Sequence, residues 1–347
     1  MKNNAKKTKK LLPLAVLLAA AALLGILLAV LTRSSTDAAD TTIPLCSFTA
    51  EEIDRLAYSG NNMDVTLLKG STGDWMLDSD PALPLDQAKV TSLVEQYAAL
   101  AALRKLEGSD LAELPEKSAA PQMTITIGAG DKSLALTVDQ LNTVADVYYV
   151  YDESGAAYTV MRSDLATLSK SPRDLYKAQT LTDKTLSDVA AMQVNDLQFT
   201  QTDSSWTLTD DPDYPVSQSS IKKMASTILQ MQTAWTVTAP EADTVYGLDS
   251  PDVTAMLTFT DGTSLTVRFG NAVAAAADGS DGDSLCYLAS DAAPTVVYEV
   301  NADSKLAYAV TKESLYEETA TAETAASDPV AQYPVGGEDD YADSLPE

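Results

Sequence analysis

The sequence predicts an α+β protein: an N-terminal transmembrane helix followed by two tandem repeats of mainly antiparallel sheet, each with one main packed helix. Three observations support this prediction. An uncharged stretch lies near the N-terminus, a tryptophan-containing segment occurs twice, and short alternating strands joined by turn-forming residues recur in both halves. Strands joined by hairpins form antiparallel sheets, and a helix between them packs on one sheet face.

The first element is a membrane anchor at residues 11–31, where 21 residues carry no charge. A helix of that length spans about 31 Å, which matches the hydrocarbon core of a bilayer. Residues 1–10 contain five lysines and are the predicted cytoplasmic tail, because positive charge stays on the cytoplasmic side. We expect the chain to be held in the lipid bilayer of the cell membrane by a single pass, with a linker at 32–43 and the rest extracytoplasmic. A cleaved signal peptide is the competing interpretation, but its apolar core would be only about 7–15 residues long.

The second observation is an internal repeat. The segment Trp75–Gln87 returns 131 residues later as Trp206–Gln218, and six of the fourteen positions from Trp75 to Ala88 are identical in the second copy. A repeat sets the architecture of a chain. It predicts a first unit at 44–178 and a second unit at 179–316.

The two copies differ in length. Leu134 matches Leu265 at an offset of 131, whereas Tyr158 matches Tyr298 at an offset of 140. The second copy therefore contains nine additional residues, which we place in the glycine- and aspartate-rich segment 271–284.

Each unit is predicted to contain three early strands, a helix, four further strands and a short closing helix. Asp86 and Ser217 precede the two main helices at equivalent positions and can cap them. Buried stripes at helical spacing follow the caps. The predicted strands are 53–60, 63–69, 74–77, 123–127, 133–138, 147–151 and 157–161 in the first unit, and 189–202, 206–208, 255–260, 264–269, 285–288 and 295–300 in the second.

The net charge of the chain excludes nucleic acid as a partner. Beyond residue 36 the chain has 17 basic and 50 acidic residues, a net charge of −33, which repels nucleic acid. The last segment, 317–347, has nine acids and no basic residue, and we expect it to be a disordered acidic tail.

Catalytic chemistry has little support in the sequence. The chain has no histidine, so neither a Ser-His-Asp triad nor a Cys-His pair can form. No phosphate-binding glycine motif occurs. We therefore predict no catalytic, cofactor-binding or metal-binding residues and no enzyme activity; a pair of carboxylates, as in glycosidases, is the competing hypothesis. Cys46 and Cys286 could form a disulfide outside the cell, but we interpret them as two separate apolar thiols.

Three groups of residues have both a structural and a ligand-binding interpretation. Trp75 and Trp206 are predicted core residues, with ligand stacking as the alternative. Tyr149 and Tyr151 share one face of a strand, where packing competes with glycan or peptide binding. The run Asp278–Asp283 lacks the spacing of a calcium loop and is predicted to be a solvated turn.

A family resemblance rests on the anchor, the tryptophan-to-proline segment before a capped helix, and two glycine motifs. These motifs are Tyr246-Gly247-Leu248-Asp249-Ser250-Pro251 and Phe269-Gly270-Asn271. In this combination the chain resembles the bacterial domain-of-unknown-function 4340 family across about 44–316. The first copy departs from the pattern, because residues 110–115 replace the Tyr-Gly-Leu stretch.

Members of that family are often encoded beside ABC-type exporters of the gliding-motility kind. The resemblance therefore implies an accessory or scaffold protein whose partner is an ABC transporter permease or another envelope protein. The alternative function is an extracytoplasmic module that binds cell-wall glycan or peptide.

Overall fold

A computed structural model describes residues 42–60, 62–274 and 284–317 of the 347-residue chain. The predicted cytoplasmic tail, the anchor at 11–31, nearly all of the linker, the run 278–283 and the acidic tail beyond Glu317 lie outside the described residues. Within the described ranges, no helix has both the length and the apolar composition that a bilayer crossing requires.

The first unit is an eight-stranded antiparallel sheet with a small two-stranded ribbon beside it. The sheet order is β4-β3-β2-β7-β8-β9-β10-β6, and β1 pairs with β5. Its strands are β1 (Ile43–Pro44), β2 (Arg55–Gly60), β3 (Met63–Lys69), β4 (Trp75–Leu77), β5 (Ala101–Ala102), β6 (Arg104–Leu106), β7 (Met123–Ala129), β8 (Lys132–Asn142), β9 (Val147–Asp152) and β10 (Ala157–Met161). Its helices are α1 (Gln87–Ala98), α2 (Ser109–Ala112), α3 (Arg162–Ala166) and α4 (Pro172–Leu175).

The second unit repeats the same topology. Its sheet order is β13-β12-β11-β15-β16-β17-β18-β14, so each strand has its counterpart at the same position in the first sheet. The strands are β11 (Val189–Val194), β12 (Leu197–Thr202), β13 (Ser205–Leu208), β14 (Thr233–Val237), β15 (Val253–Phe259), β16 (Ser264–Ala272), β17 (Leu285–Ser290) and β18 (Val297–Asn301). The helices are α5 (Gln218–Leu229), α6 (Asp243–Tyr246) and α7 (Asp303–Leu306), with 3-10 turns at Leu186–Asp188 and Glu313–Leu315. The predicted pair of tandem, mainly antiparallel sheet units is confirmed.

One main helix packs on each sheet, as predicted. The Asp86 carboxylate accepts hydrogen bonds from the backbone N–H groups of Ala88 and Lys89, and the Ser217 hydroxyl accepts one from Ser220. Both caps were predicted from the repeat. The buried faces of the two helices belong to two separate hydrophobic cores, and their buried residues are Val90, Leu93, Val94 and Tyr97 in α1 and Ile221, Met224, Ala225, Ile228 and Leu229 in α5.

The eighth strand of each sheet was not predicted from the sequence. After α1 the chain crosses the sheet face and adds β6 beside β10, and after α5 it adds β14 beside β18. These strands have three and five residues, and the three-residue strand β6 contains the charged pair Arg104-Lys105. Such a short edge strand has too little apolar alternation to stand out in a sequence.

The placement of the nine extra residues also needs correction. In the first unit Val138 of β8 pairs with Val150 of β9, and in the second unit Phe269 pairs with Leu288 in the same way. The offset between the two copies is therefore 131 from Val138 to Phe269 and 138 from Val150 to Leu288. It reaches 140 on β10, where Tyr158 corresponds to Tyr298. Seven extra residues therefore lie between β16 and β17, and two lie between β17 and β18.

A glutamine closes one edge of each sheet in the same way. The Gln218 side chain accepts a hydrogen bond from the Trp206 N–H at 2.7 Å and donates one to the Trp206 carbonyl at 2.7 Å. Gln87 makes the same two bonds with Trp75, at 2.7 and 3.0 Å. The side-chain amide thus takes the place of a further strand, which leaves these backbone groups unavailable for pairing with another chain.

We expect replacement of Gln218 by leucine to lower the free energy of unfolding of the second unit by about 1–3 kcal/mol. The reason is that both polar groups of a buried edge residue would lose their partner. Urea unfolding of the full chain, followed by tryptophan fluorescence, measures the change. Gln198→Leu, on the exposed side of the neighbouring strand, is the control. Equal effects of the two substitutions would refute the proposed role of the amide.

Candidate functional site

The aromatic residues with a ligand-stacking alternative are mostly part of the core. Trp75 is 5% exposed, Trp206 is 1% exposed and Tyr151 is 5% exposed, so none presents a ring face to solvent. The Trp206 indole N–H is buried without a hydrogen-bond partner in the described part of the chain. Tyr149 is half-buried, and its hydroxyl accepts a hydrogen bond from Asn142. The core interpretation of both tryptophans is confirmed.

The two cysteines are separate buried thiols, as the sequence analysis favoured. Cys46 lies in the core of the first unit and Cys286 in the core of the second, and both are free. Burial raises the pKa of each thiol, which lowers the thiolate fraction and hence its reactivity.

Two open pockets each bring two carboxylic acids together. Glu51 and Glu95 line one of about 250 Å³, and Asp243 and Asp291 line another of about 230 Å³. Each pocket also contains a cation, Lys69 in the first and Arg268 in the second, and Arg268 binds Asp243 at 3.0 Å. A glycosidase instead needs one acid in surroundings that favour its protonated form. Across the described ranges, no three acidic or cysteine side chains gather closely enough to hold a metal ion.

The two glycine motifs behind the family resemblance contact each other. A Cβ atom on Gly270 would lie within contact of the Tyr246 carbonyl and the Leu248 side chain, and one on Gly247 would overlap the Asn271 amide. Gly247 has φ of +70° and ends helix α6. The motifs thus form one packed turn against β16.

We expect Gly270→Ala to lower the stability of the second unit by more than about 2 kcal/mol, because the new methyl group would collide with the backbone at Tyr246. Gly262→Ala is the control. Unlike Gly270, Gly262 has a positive φ, +84°, but open space surrounds its Cβ position, so its substitution should cost about 1 kcal/mol. Thermal unfolding of both variants measures the difference, and a Gly270→Ala variant as stable as the control would contradict the packing account.

The most specific polar constellation joins the two units, and we call it the joint: Arg173, Tyr176, Thr233, Trp235, Thr236 and Glu299. The Arg173 guanidinium makes two hydrogen bonds to the Glu299 carboxylate, at 2.8 and 3.0 Å. The Glu299 side chain is 6% exposed and that of Arg173 is 52% exposed. The Arg173 guanidinium also lies 4.7 Å from the Trp235 ring centroid. A planar guanidinium can satisfy a carboxylate in this bidentate way while it covers an aromatic ring.

Tyr176 forms the second half of the joint. Its ring lies 5.3 Å from Trp235, and its hydroxyl lies 2.6 and 2.7 Å from the hydroxyls of Thr233 and Thr236. Burial and the nearby Tyr176 raise the pKa of the Tyr298 hydroxyl. Trp235, a residue of the second sheet, packs against the core of the first unit.

Backbone and side-chain hydrogen bonds extend this contact. The Thr233 N–H donates to the Gln179 carbonyl at 3.0 Å, and Thr180 pairs with Gln232. The Thr238 hydroxyl donates to the Asp80 carboxylate at 2.7 Å. Strand β14 therefore holds the first residues of the second unit, and Thr238 directly after it reaches Asp80 of the first unit.

The joint is not duplicated. At the positions equivalent to Trp235 and Glu299, the first unit has Arg104 and Thr159, as the pairing of β6 with β10 shows. None of the joint residues was predicted from the sequence to have this role. The available signal was Trp235 itself, a large aromatic residue present in one copy only.

We expect Arg173→Met to lower the free energy of unfolding by about 2–3 kcal/mol, because the buried Glu299 carboxylate would lose its counter-ion. We expect a smaller loss of unfolding free energy than for a fully buried ion pair, because Arg173 is half-exposed. Arg104→Met is the control, because Arg104 forms an exposed pair with Asp110 and should contribute less than about 1 kcal/mol.

A second substitution, Glu299→Met in the Arg173→Met background, should restore part of the lost stability because no charge then remains buried. Urea unfolding measures all four proteins. If Arg173→Met is as mild as Arg104→Met, the ion pair does not hold the joint.

Comparison with protein-family models, with curated proteins and with solved structures finds no match to this chain.

Proposed function

We propose that the protein is a membrane-anchored, extracytoplasmic, non-enzymatic accessory protein that presents its two sheet units as one docking body for an export complex. The joint is the observation that carries this proposal. Its ion pair bridges Arg173 and Glu299, 126 positions apart in the chain, and its aromatic and hydroxyl contacts join Tyr176 to strand β14.

Such a joint restricts motion between the units. Units connected by a linker alone reorient freely, whereas a buried, hydrogen-bonded contact favours one arrangement. A fixed arrangement suits a protein that must hold a partner at a set distance from the membrane. A binding protein that closes around a ligand would instead need a hinge between its units.

The tether and the partner are parts of the same proposal. The uncharged stretch at 11–31 follows five lysines and would hold the protein in the bilayer with the described units outside. The family resemblance points to a permease of an ABC-type exporter as the partner. Because no family model matches the chain, the resemblance rests on the motif residues alone. The packing of Gly247 and Gly270 gives those residues a common structural role.

A ligand-binding module for glycan or peptide is the second candidate. The sequence-based hypothesis required exposed aromatic rings on which a ligand could stack. Three of its four aromatic residues, Trp75, Trp206 and Tyr151, are buried and cannot stack on a ligand. The observation that now favours it is an open pocket in the first unit, lined by both apolar and polar side chains.

In-cell crosslinking followed by affinity purification through the C-terminal tail tests the accessory role. We expect mass spectrometry to identify an ABC permease together with its ATPase. The Arg173→Met variant should recover at least several-fold less permease, because a loosened joint no longer holds the docking surface in one arrangement.

The Arg104→Met variant controls for expression and for loss of surface charge, and it should recover the permease like the unmodified protein. Recovery of the protein alone from membranes, in repeated experiments with efficient crosslinking, would overturn the accessory role. Recovery of wall fragments instead would favour the ligand-binding candidate.

A further inference from the structure

The two units differ at the space between the start of one strand, β7 or its counterpart β15, and the short helix α3 or its counterpart α7. In the second unit an ion pair lies at this place. Lys305 of α7 binds Asp252 at 2.7 Å and lies 3.4 Å from the Gly270 carbonyl, above the buried Cys286.

In the first unit the equivalent space is an open pocket of about 290 Å³. Leu165 replaces Lys305, and Gln122 replaces Asp252, as the pairing of β7 with β8 and of β15 with β16 shows, so the ion pair of the second unit has no counterpart here. Tyr148 occupies the position of Cys286, as the pairing of β8 with β9 and of β16 with β17 shows. The residues that line this pocket therefore differ from those at the equivalent positions of the second unit, so the shared fold does not require them.

The pocket combines an apolar floor with a polar rim. Met123, Val138 and Leu165 form the floor and are all buried. The rim consists of Gln122, Tyr148, Arg162 and Ser169.

The rim groups retain unused hydrogen-bonding capacity. In the described part of the chain, the side chains of Gln122, Tyr148 and Arg162 form no hydrogen bond. Arg162 forms a long ion pair with Asp146, at 3.8 Å, and both side chains are more than half exposed, so solvent screens this pair and it contributes little. The Ser169 hydroxyl contacts only the Met123 sulfur, at 3.9 Å. A sulfur atom is a weak acceptor, so this hydroxyl also remains available.

We propose that this pocket binds the carboxylate end of a short peptide, with Arg162 as the ion-pair partner and with the terminal apolar side chain on Met123, Val138 and Leu165. Arg162 is a planar fork that matches a carboxylate, and Gln122, Tyr148 and Ser169 offer neutral donors around it. A doubly charged phosphate would meet only one cation in a chain of net charge −27, so a singly charged group fits better. The volume lies at the small end of ligand pockets, which suits a chain end.

The test is a titration of the full chain, in detergent and with 13C-labelled methionine methyl groups, so that Met123 reports binding. The probe is N-acetyl-alanyl-alanine, with its C-terminal amide and inorganic phosphate as comparison ligands. We expect a saturable shift of the Met123 methyl signal with the carboxylate probe, and binding at least about tenfold weaker for the amide and for phosphate.

Arg162→Gln should weaken binding of the carboxylate probe at least about tenfold, while Arg104→Gln should leave it unchanged. The paired substitution Gln122→Asp with Leu165→Lys rebuilds the ion pair of the second unit and should abolish the shift. Absence of saturable binding, equal binding of acid and amide, tighter binding of phosphate, or full binding by the Arg162→Gln variant would each overturn the proposal. The binding test does not depend on the accessory role, because it uses the purified protein alone.

Discussion

The buried carboxylate of Glu299 is the constraint on which the arrangement of the two units depends. A carboxylate with so little exposure is unstable unless a cation and hydrogen-bond donors surround it. Here the cation is Arg173, which belongs to the other unit. The second sheet therefore reaches its favourable electrostatic state only when the end of the first unit lies against strand β14. Trp235 and Tyr176 add apolar contact area to the same surface, so charge and packing favour one arrangement together.

Much of the fold could be predicted because the chain contains its own comparison. Asp86 and Ser217 differ chemically but cap equivalent helices, and the strands around Trp75 and Trp206 have the same pattern of burial. The structure adds a shared reason for the glutamine of the repeat, since Gln87 and Gln218 both bind the backbone of the tryptophan strand. The shared role of the side-chain amide accounts for the identical glutamine in the two copies, which hydrophobic periodicity does not explain.

The missed features share a physical cause: they depend on contacts between distant parts of the chain. Strand β6 is recognisable only beside β10, because Arg104 and Lys105 do not have the composition of a strand. The joint likewise pairs Arg173 with a residue of a different sheet. Local propensity and periodicity contain no information about such pairs, whereas differences between the two copies do. One such difference is that Trp235 in the second unit stands at the position of Arg104 in the first.

The repeat also shows how two units of one fold can differ in detail. A single fold supplies the sheet, the crossing helix and the edge-closing glutamine in both copies, so substitutions elsewhere are free to differ. In the second unit the edge strand β14 carries groups that bind the first unit, and Lys305 of α7 forms an ion pair with Asp252. The first unit has neither feature, and its corresponding space is open beside Arg162. The edge strand that contacts the neighbouring unit and the open pocket therefore belong to different copies. A substitution that changes the contact in the second unit leaves the pocket of the first unit unchanged.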